Sequence, residues 1–212
     1  VVRVFVGVDP RQPIAFHVLC SSIMRRASVP VSITPLVLFQ LPIDRCGLTE
    51  FTFSRYLVPY LCNYEGQAIF MDSDMLVVGD VAELSTDEAV SCVHHQGHEY
   101  EAPSMMVFDN AKCRELTPEY IEQRTPQTFE WAESVGALDP NWNFLVGYEE
   151  PREGIKLLHY TQGIPEYKEC RKCDFADVWF QEKDAMLHAV SWIEIMGQSR
   201  HVAPVLDKLR VG

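Results

Sequence analysis

Ala68-Ile69-Phe70-Met71 runs straight into Asp72-Ser73-Asp74, and Met75-Leu76-Val77-Val78 then resumes the apolar pattern. Four apolar residues followed by two carboxylates spaced two apart read as a short buried strand delivering both acids at its C-terminal end. In open α/β sheets, ligands collect at such ends. Two hard oxygen ligands suit Mn2+ or Mg2+, which also take phosphate oxygens. A metal held there would stabilise the charge that builds on a departing diphosphate. Asp72 and Asp74 are therefore the first candidate metal ligands.

The chain upstream reads as β–α–β. Residues 3–8 are Val-rich and fit a strand covered on both faces, closed by the turn sequence Asp9-Pro10-Arg11-Gln12-Pro13. Residues 14–26 place Ile14, His17, Val18, Cys20, Ser21 and Met24 at helical spacing and end in Arg25-Arg26. Val31 to Leu38 is β-branched and apolar, a second strand. This order argues for a parallel sheet with a crossover helix. A helix is expected over Thr49 to Asn63, with Pro59 as its weak point. Ala89 to Val93 and Ser104 to Phe108 read as strands, residues 111–122 and 127–135 as helices, and Asp139 to Asn143 as a loop. Ile155 to His159 reads as a strand, Asp174 to Val190 as a helix, and a polar tail follows. The expected fold class is α/β, a Rossmann-like mixed and mostly parallel sheet flanked by helices. No repeat or linker interrupts residues 1–212, so a single domain is expected.

Composition narrows the function. A 47% hydrophobic and 23% charged content is that of a folded globular chain. The formal net charge of -12 argues against nucleic acid and against anionic lipid as partners. It leaves room for a phosphate-bearing small ligand, because a bound cation can supply the positive charge. No apolar run reaches the roughly 18–20 residues that span a bilayer, so the protein is expected not to cross a membrane. Seven scattered cysteines, an odd number, suggest reduced thiols and hence a cytoplasmic location.

His159 is the third candidate ligand. It ends an apolar strand and precedes the polar Tyr160-Thr161-Gln162-Gly163, and a neutral imidazole sits well beside two carboxylates. His94, His95 and His98 read as a polar loop, and Cys170-x-x-Cys173 lacks the second ligand pair of a zinc site.

Three segments in order carry a resemblance. Ser54-Arg55-Tyr56-Leu57-Val58-Pro59-Tyr60-Leu61, Ala68-Ile69-Phe70-Met71-Asp72-Ser73-Asp74-Met75 and Asp80-Val81-Ala82-Glu83-Leu84 together resemble the signature of family 8 glycosyltransferases and their bacterial relatives. The likeness covers the spine from Val4 to about Tyr160. It implies the type-A glycosyltransferase fold and a UDP-sugar donor. The implied reaction moves a hexosyl unit to the hydroxyl of a saccharide, lipid or protein acceptor, with retention of configuration. Mn2+ (or Mg2+) would be held by Asp72, Asp74 and His159. Arg55 would contact the donor sugar or diphosphate and joins Asp72 and Asp74 as the implied catalytic set. Val8 and Asp9, after Gly7, would seat the nucleoside. Ser104, Trp142 and Asn143 fall where the resembling proteins meet donor or acceptor, with Asp109 a lesser candidate, and Ser73 and the backbone N–H groups near Gly163 are further candidate substrate contacts. Asp139 and Glu166 are the acids considered for a base or nucleophile.

Three departures stand out, one being that the stretch between Val93 and Ser104 is short for an acceptor-binding loop, so few ordered residues are expected to meet the acceptor. The family commonly places Gly three residues after its histidine, and Gln162 is there instead, with Gly163 one later. Ile164-Pro165-Glu166-Tyr167 replaces the family's later Lys-Pro-Trp run, with Lys168 just beyond. Two rival readings follow. A sugar nucleotidyltransferase would carry a Gly-rich basic loop after the first strand, where Asp9-Pro10-Arg11-Gln12-Pro13 has no glycine. A non-catalytic nucleotide-sugar-binding protein would tolerate the missing basic run.

Overall fold

Residues 1–197 and 199–210 are described by a computed structural model. The β–α–β start is present as β1 (Val2–Gly7), α1 (Pro13–Arg26) and β2 (Val31–Leu36). Short segments α2 (Phe51–Ser54) and α3 (Val58–Leu61) lead to β3 (Gln67–Met71) and β4 (Met75–Val77). Strands β5 (Val90–Cys92) and β6 (Met105–Asp109), helix α4 (Pro118–Gln123) and strands β7 (Val135–Ala137), β8 (Phe144–Leu145) and β9 (Leu157–His159) follow. Helices α5 (Ala176–Leu187), α6 (Trp192–Met196) and α7 (Ala203–Arg210) close the described chain.

The main sheet has the order β2-β1-β3-β6-β5-β7. Strand β1 runs parallel to both β2 and β3, β5 runs parallel to β7, and β6 runs antiparallel to β3 and β5. The sheet is thus mixed and mostly parallel, as expected. Its central strands are buried on both faces, and the period-2 alternation divides their side chains between two cores. Val4, Val6, Ile69, Met71, Met105 and Val107 pack on one face with Leu19 and Ile23 of α1. Phe5, Phe70, Met106 and Phe108 pack on the other with Tyr56, Leu57 and Trp131. Fully burying a side chain such as Phe70 contributes roughly 1.5–3 kcal/mol. A second sheet, β4-β9-β8, continues from the end of β3.

Four expectations change. The helix over 49–63 is divided, with a 3-10 turn at Arg55–Leu57 between α2 and α3. Pro59 has no N–H to offer the Arg55 carbonyl, so the helix restarts with the proline in its first turn rather than breaking there. Residues 111–122 are helical only over a 3-10 turn at Asn110–Lys112 and α4, which begins at Pro118 behind the Thr117 cap. Residues 127–135 are not a helix. Phe129 takes φ 57°, the Trp131 indole N–H donates to the Pro126 carbonyl at 2.8 Å inside the core, and Val135–Ala137 pairs with β5. The polar tail forms α6, closed by a capping box: Ser191 Oγ accepts from the Glu194 N–H, and Glu194 accepts from the Ser191 N–H. It also forms α7. Residues 198, 211 and 212 of that tail lie outside the described residues.

Helix α5 is clamped to α1 by a buried acid. Glu182 accepts from Ser21 Oγ at 2.9 Å and pairs with Arg26 at 2.7 Å and Arg25 at 3.3 Å. Burial disfavours the ionised form, but the hydrogen bonds from Arg26 and Ser21 outweigh it, so the carboxyl sits below the ordinary glutamate range. A lowered folded-state pKa contributes stability above the unfolded value that is lost as pH falls through the folded one. Both arginines are partly exposed, so solvent screening trims the effect. Glu182→Gln is expected to cost about 1–2 kcal/mol at pH 7 in urea denaturation. The gap from the wild type should close as the pH drops below about 4.

Candidate active site

Three backbone pairings converge at the C-terminal end of β3. Strand β9 pairs antiparallel with β4 in the register Met75↔His159, and the Tyr160 N–H donates to the Asp74 carbonyl at 3.0 Å. The register of β3 with β6, Met71↔Met105, brings Ser104 opposite Asp72, whose N–H donates to the Ser104 carbonyl at 2.9 Å. Asp72, Asp74 and His159 are thereby gathered, with one ligand atom from each lying within 4.8 Å of the others. They line a cleft of about 410 Å3 with Arg55, Glu101 and Thr161.

The electrostatics suit a cation. Asp72 Oδ1 and Asp74 Oδ1 are buried without a hydrogen-bond partner, an unfavourable state for carboxylate oxygens. The Asp72 carboxyl is pushed up to about 7, chiefly by burial and further by Asp74, against the pull of Arg55. His159 Nε2 lies 3.4 Å from Asp74 Oδ1. Burial opposes the imidazolium, yet the surrounding carboxylates, Asp74 foremost, raise its pKa above the ordinary histidine value. Two acidic oxygens and a ring nitrogen, each short of partners, match the donor set that a small divalent ion takes.

A hydrogen-bond chain sets the imidazole. Ser104 Oγ donates to the Glu101 carbonyl at 2.5 Å, so its lone pairs are left to accept the Asn143 amide N–H at 3.0 Å. Asn143 Oδ1 then faces His159 Nδ1 at 3.0 Å, which requires the proton on Nδ1 and leaves Nε2 as the free ligand atom. Asn143 and Ser104, expected as sugar contacts, are both buried in this chain behind the histidine.

Arg55 is also more structural than expected. Its Nη2 reaches Asp72 at 3.1 and 3.3 Å, Nη1 donates to the Pro103 carbonyl at 2.9 Å, and Nε donates to the Phe51 carbonyl at 3.2 Å. Most of the guanidinium fork is spent holding Asp72 and the cleft walls. Phe51 lies across Gly7, where a Cβ would collide with its ring. Ser73 is buried between the two acids, and its Oγ has no partner. Val8 is half-buried at the end of β1. Asp9 is buried and bound by Arg11 through its backbone N–H at 3.0 Å and its guanidinium at 2.8 and 2.5 Å, which holds the carboxyl below the usual range.

Other sequence candidates lie elsewhere. Trp142 packs in the core with Val77 and Leu157 and is not part of the cleft lining. Gly163, at φ 121°, lines a second cavity of about 290 Å3 with Cys170 and Cys173. Asp109 is corrected as a sugar contact. It pairs with Gln67, so it sits at the far end of β6 from Asp72, beside Lys112. Asp139 is exposed and caps the Asn141 N–H, and Glu166 is ion-paired with Lys183. Sequence reasoning missed Glu101, Tyr100, Tyr148 and Thr161, all in the cleft. Their only signal was proximity to Ser104 and His159, which no periodicity marks.

No protein-family model matches this sequence. Protein CDI of Arabidopsis thaliana is 34% identical to it over 224 residues, an alignment that covers 86% of this chain and 86% of that protein. The chain belongs to the Protein CDI family. Among solved structures, it resembles the WbbM bifunctional glycosyltransferase with a TM-score of 0.62 at 16% identity, over 92% of this chain. It resembles the glycosyltransferase GlyE of Streptococcus pneumoniae with a TM-score of 0.61 at 15% identity, over 97% of this chain. The galactosyltransferase LgtC gives a TM-score of 0.60 at 11% identity, over 91% of this chain and 99% of LgtC. The chain spans 50% of the WbbM chain and 63% of the GlyE chain. These likenesses establish for this Protein CDI relative the type-A glycosyltransferase fold expected from its sequence.

Asn143→Ala removes the acceptor that fixes the His159 tautomer and touches no proposed ligand atom directly. It is expected to weaken Mn2+ binding by roughly 10–100-fold, read by electron paramagnetic resonance titration of free Mn2+.

Proposed function

We propose that the protein is a metal-dependent glycosyltransferase that moves a hexosyl unit from a UDP-sugar to an acceptor hydroxyl with retention. The observation that carries this reading is that two buried carboxylate oxygens without hydrogen bonds, Asp72 Oδ1 and Asp74 Oδ1, are gathered with a His159 ring nitrogen in a cleft of a type-A glycosyltransferase fold. Asp72, Asp74 and His159 would hold Mn2+ or Mg2+. When bound, the metal neutralises the donor diphosphate and the charge that grows on it as the glycosidic bond breaks.

The chain's own residues do the rest. Arg55 aims Asp72 and favours its ionised form against burial by supplying a buried counter-charge. Asn143 and Ser104 keep the Nε2 lone pair of His159 pointed at the site. Ser73 offers a buried hydroxyl between the acids, and Val8 and Asp9 end β1 where the nucleoside would lie. Glu101 presents a third carboxyl, 3.9 Å from His159 Nδ1, which is pushed above the ordinary range by burial and by Asp74 against the pull of His159. It is better placed to meet an acceptor hydroxyl than Asp139 or Glu166. Residues 1–212 would act as one transferase domain. No described helix is long and apolar enough to cross a membrane. The seven free thiols support a reducing, cytosol-like setting.

One observation favours a second reading. Among the described residues Arg55 is the only Lys or Arg lining the cleft, and most of its donors are engaged. A nucleotide-sugar-binding protein without turnover would show the same. The two readings separate on turnover. Isothermal titration is expected to show UDP binding that requires Mn2+ and is lost in Asp74→Ala. Metal-dependent release of UDP from one member of a UDP-sugar panel would mark a transferase. Metal-dependent binding without release would mark the binding protein, and UDP binding indifferent to Mn2+ and to Asp74→Ala would defeat both.

A further inference from the structure

The cleft has an aromatic wall that the metal triad does not use. The Tyr100 and Tyr148 side chains line it, and both are unusually open for tyrosine, with the residues 65% and 45% exposed. His98 joins them: its ring centroid lies 4.4 Å from that of Tyr148 and 5.8 Å from that of Tyr100, and its Nδ1 is 3.1 Å from Tyr100 Oη. Rings that could have packed inward instead stand together along the cleft, the tyrosines exposed, each an apolar surface beside a polar edge. Glu101, next in sequence to Tyr100, carries a mostly buried carboxyl between this wall and His159.

The strand order says which ligand would meet this wall. Strand β3 ends at the triad, with β1 on one side and β6 on the other. The end of β1 holds Val8 and Asp9, while the segment entering β6 holds Tyr100, Glu101 and Ser104. A nucleoside on the β1 side and a diphosphate at the triad leave the β6 side for what lies beyond the diphosphate. On that reading the donor sugar, bonded to the diphosphate, would lie close to the buried Asp72, and the exposed rim would be left to a second molecule.

We propose that Tyr100, His98 and Tyr148 form the acceptor subsite and that the acceptor is a saccharide, its pyranose ring lying against the tyrosine faces with a hydroxyl directed at Glu101. A pyranose has a face of C–H bonds that suits an aromatic plane and hydroxyls at its edge for a carboxylate. A lipid chain would call for a continuous apolar groove, whereas the cleft that holds Leu48 and Phe51 is also lined by Thr49, Thr52, Arg55 and Glu101. The inference rests on the donor reading above, and its test is arranged to fail separately.

Saturation-transfer NMR with methyl β-D-glucoside, methyl β-D-galactoside, lactose and maltose as probes reads the subsite without turnover. At least one probe is expected to receive saturation, concentrated on the C–H protons of one ring face. That transfer should drop several-fold in Tyr100→Ala and Tyr148→Ala, survive in Tyr148→Phe, and persist in Asp74→Ala. Melting temperatures of the variants check that each is folded. Saturation of none of the four probes by the wild type, or transfer undiminished in both alanine variants, overturns the subsite. Sugar binding that follows this pattern in a protein that does not bind UDP with Mn2+ supports the subsite while removing the donor reading. UDP binding without sugar binding does the reverse.

Discussion

The antiparallel pairing of β9 with β4 is the constraint on which the site depends. It fixes His159 across from Met75, the residue after Asp74, and so sets an imidazole against two acids that are more than eighty positions away in the chain. A slip of one residue would turn His159 to the opposite face and leave the carboxylates without a nitrogen partner. The pairing is buried on both sides: Leu76 and Leu158 pack with Phe144 and Trp179, while Met75, Val77 and Leu157 pack with the core beneath α1. Apolar burial thus holds the register, and the register places the chemistry.

The charges at this point form a balance rather than a set of pairs. Asp72 is buried beside Arg55, but one guanidinium does not neutralise Asp72, Asp74 and Glu101 together. Burial and a local excess of negative charge together raise the pKa values of Asp72 and Glu101, and the same excess raises that of His159 against the opposing effect of burial. A divalent ion would relieve that excess. The polar chain of Glu101 carbonyl, Ser104, Asn143 and His159 is satisfied link by link, and this rigidifies the one ligand that comes from a different sheet.

Much of this arrangement was legible in the primary structure. An apolar run ending in Asp72-Ser73-Asp74, a Val-rich first strand and a histidine at the end of another short strand are local patterns, and local patterns survive folding. The likeness around Ser54–Leu61 and Asp80–Leu84 carried the fold class, which the structure and its neighbours bear out. The failures were also physical. Residues 127–135 have helical composition, yet the Trp131 indole is drawn into the core, and pairing with β5 prevails over propensity. Trp142 and Asn143 sit in a stretch of loop-like sequence, but the fold buries both, one as core and one as a hydrogen-bond relay.

Sequence settled the identity of the two acids and of the sheet edge that presents them, because strand periodicity and burial are written in neighbouring residues. Only the tertiary structure decided that Asn143 orients His159, that Arg55 turns inward to Asp72, and that Tyr100, His98 and Tyr148 meet at the mouth of the cleft. Those relations join residues from 2 to 50 positions apart through strand register and loop closure. Such distances in space are not encoded by any spacing along the chain.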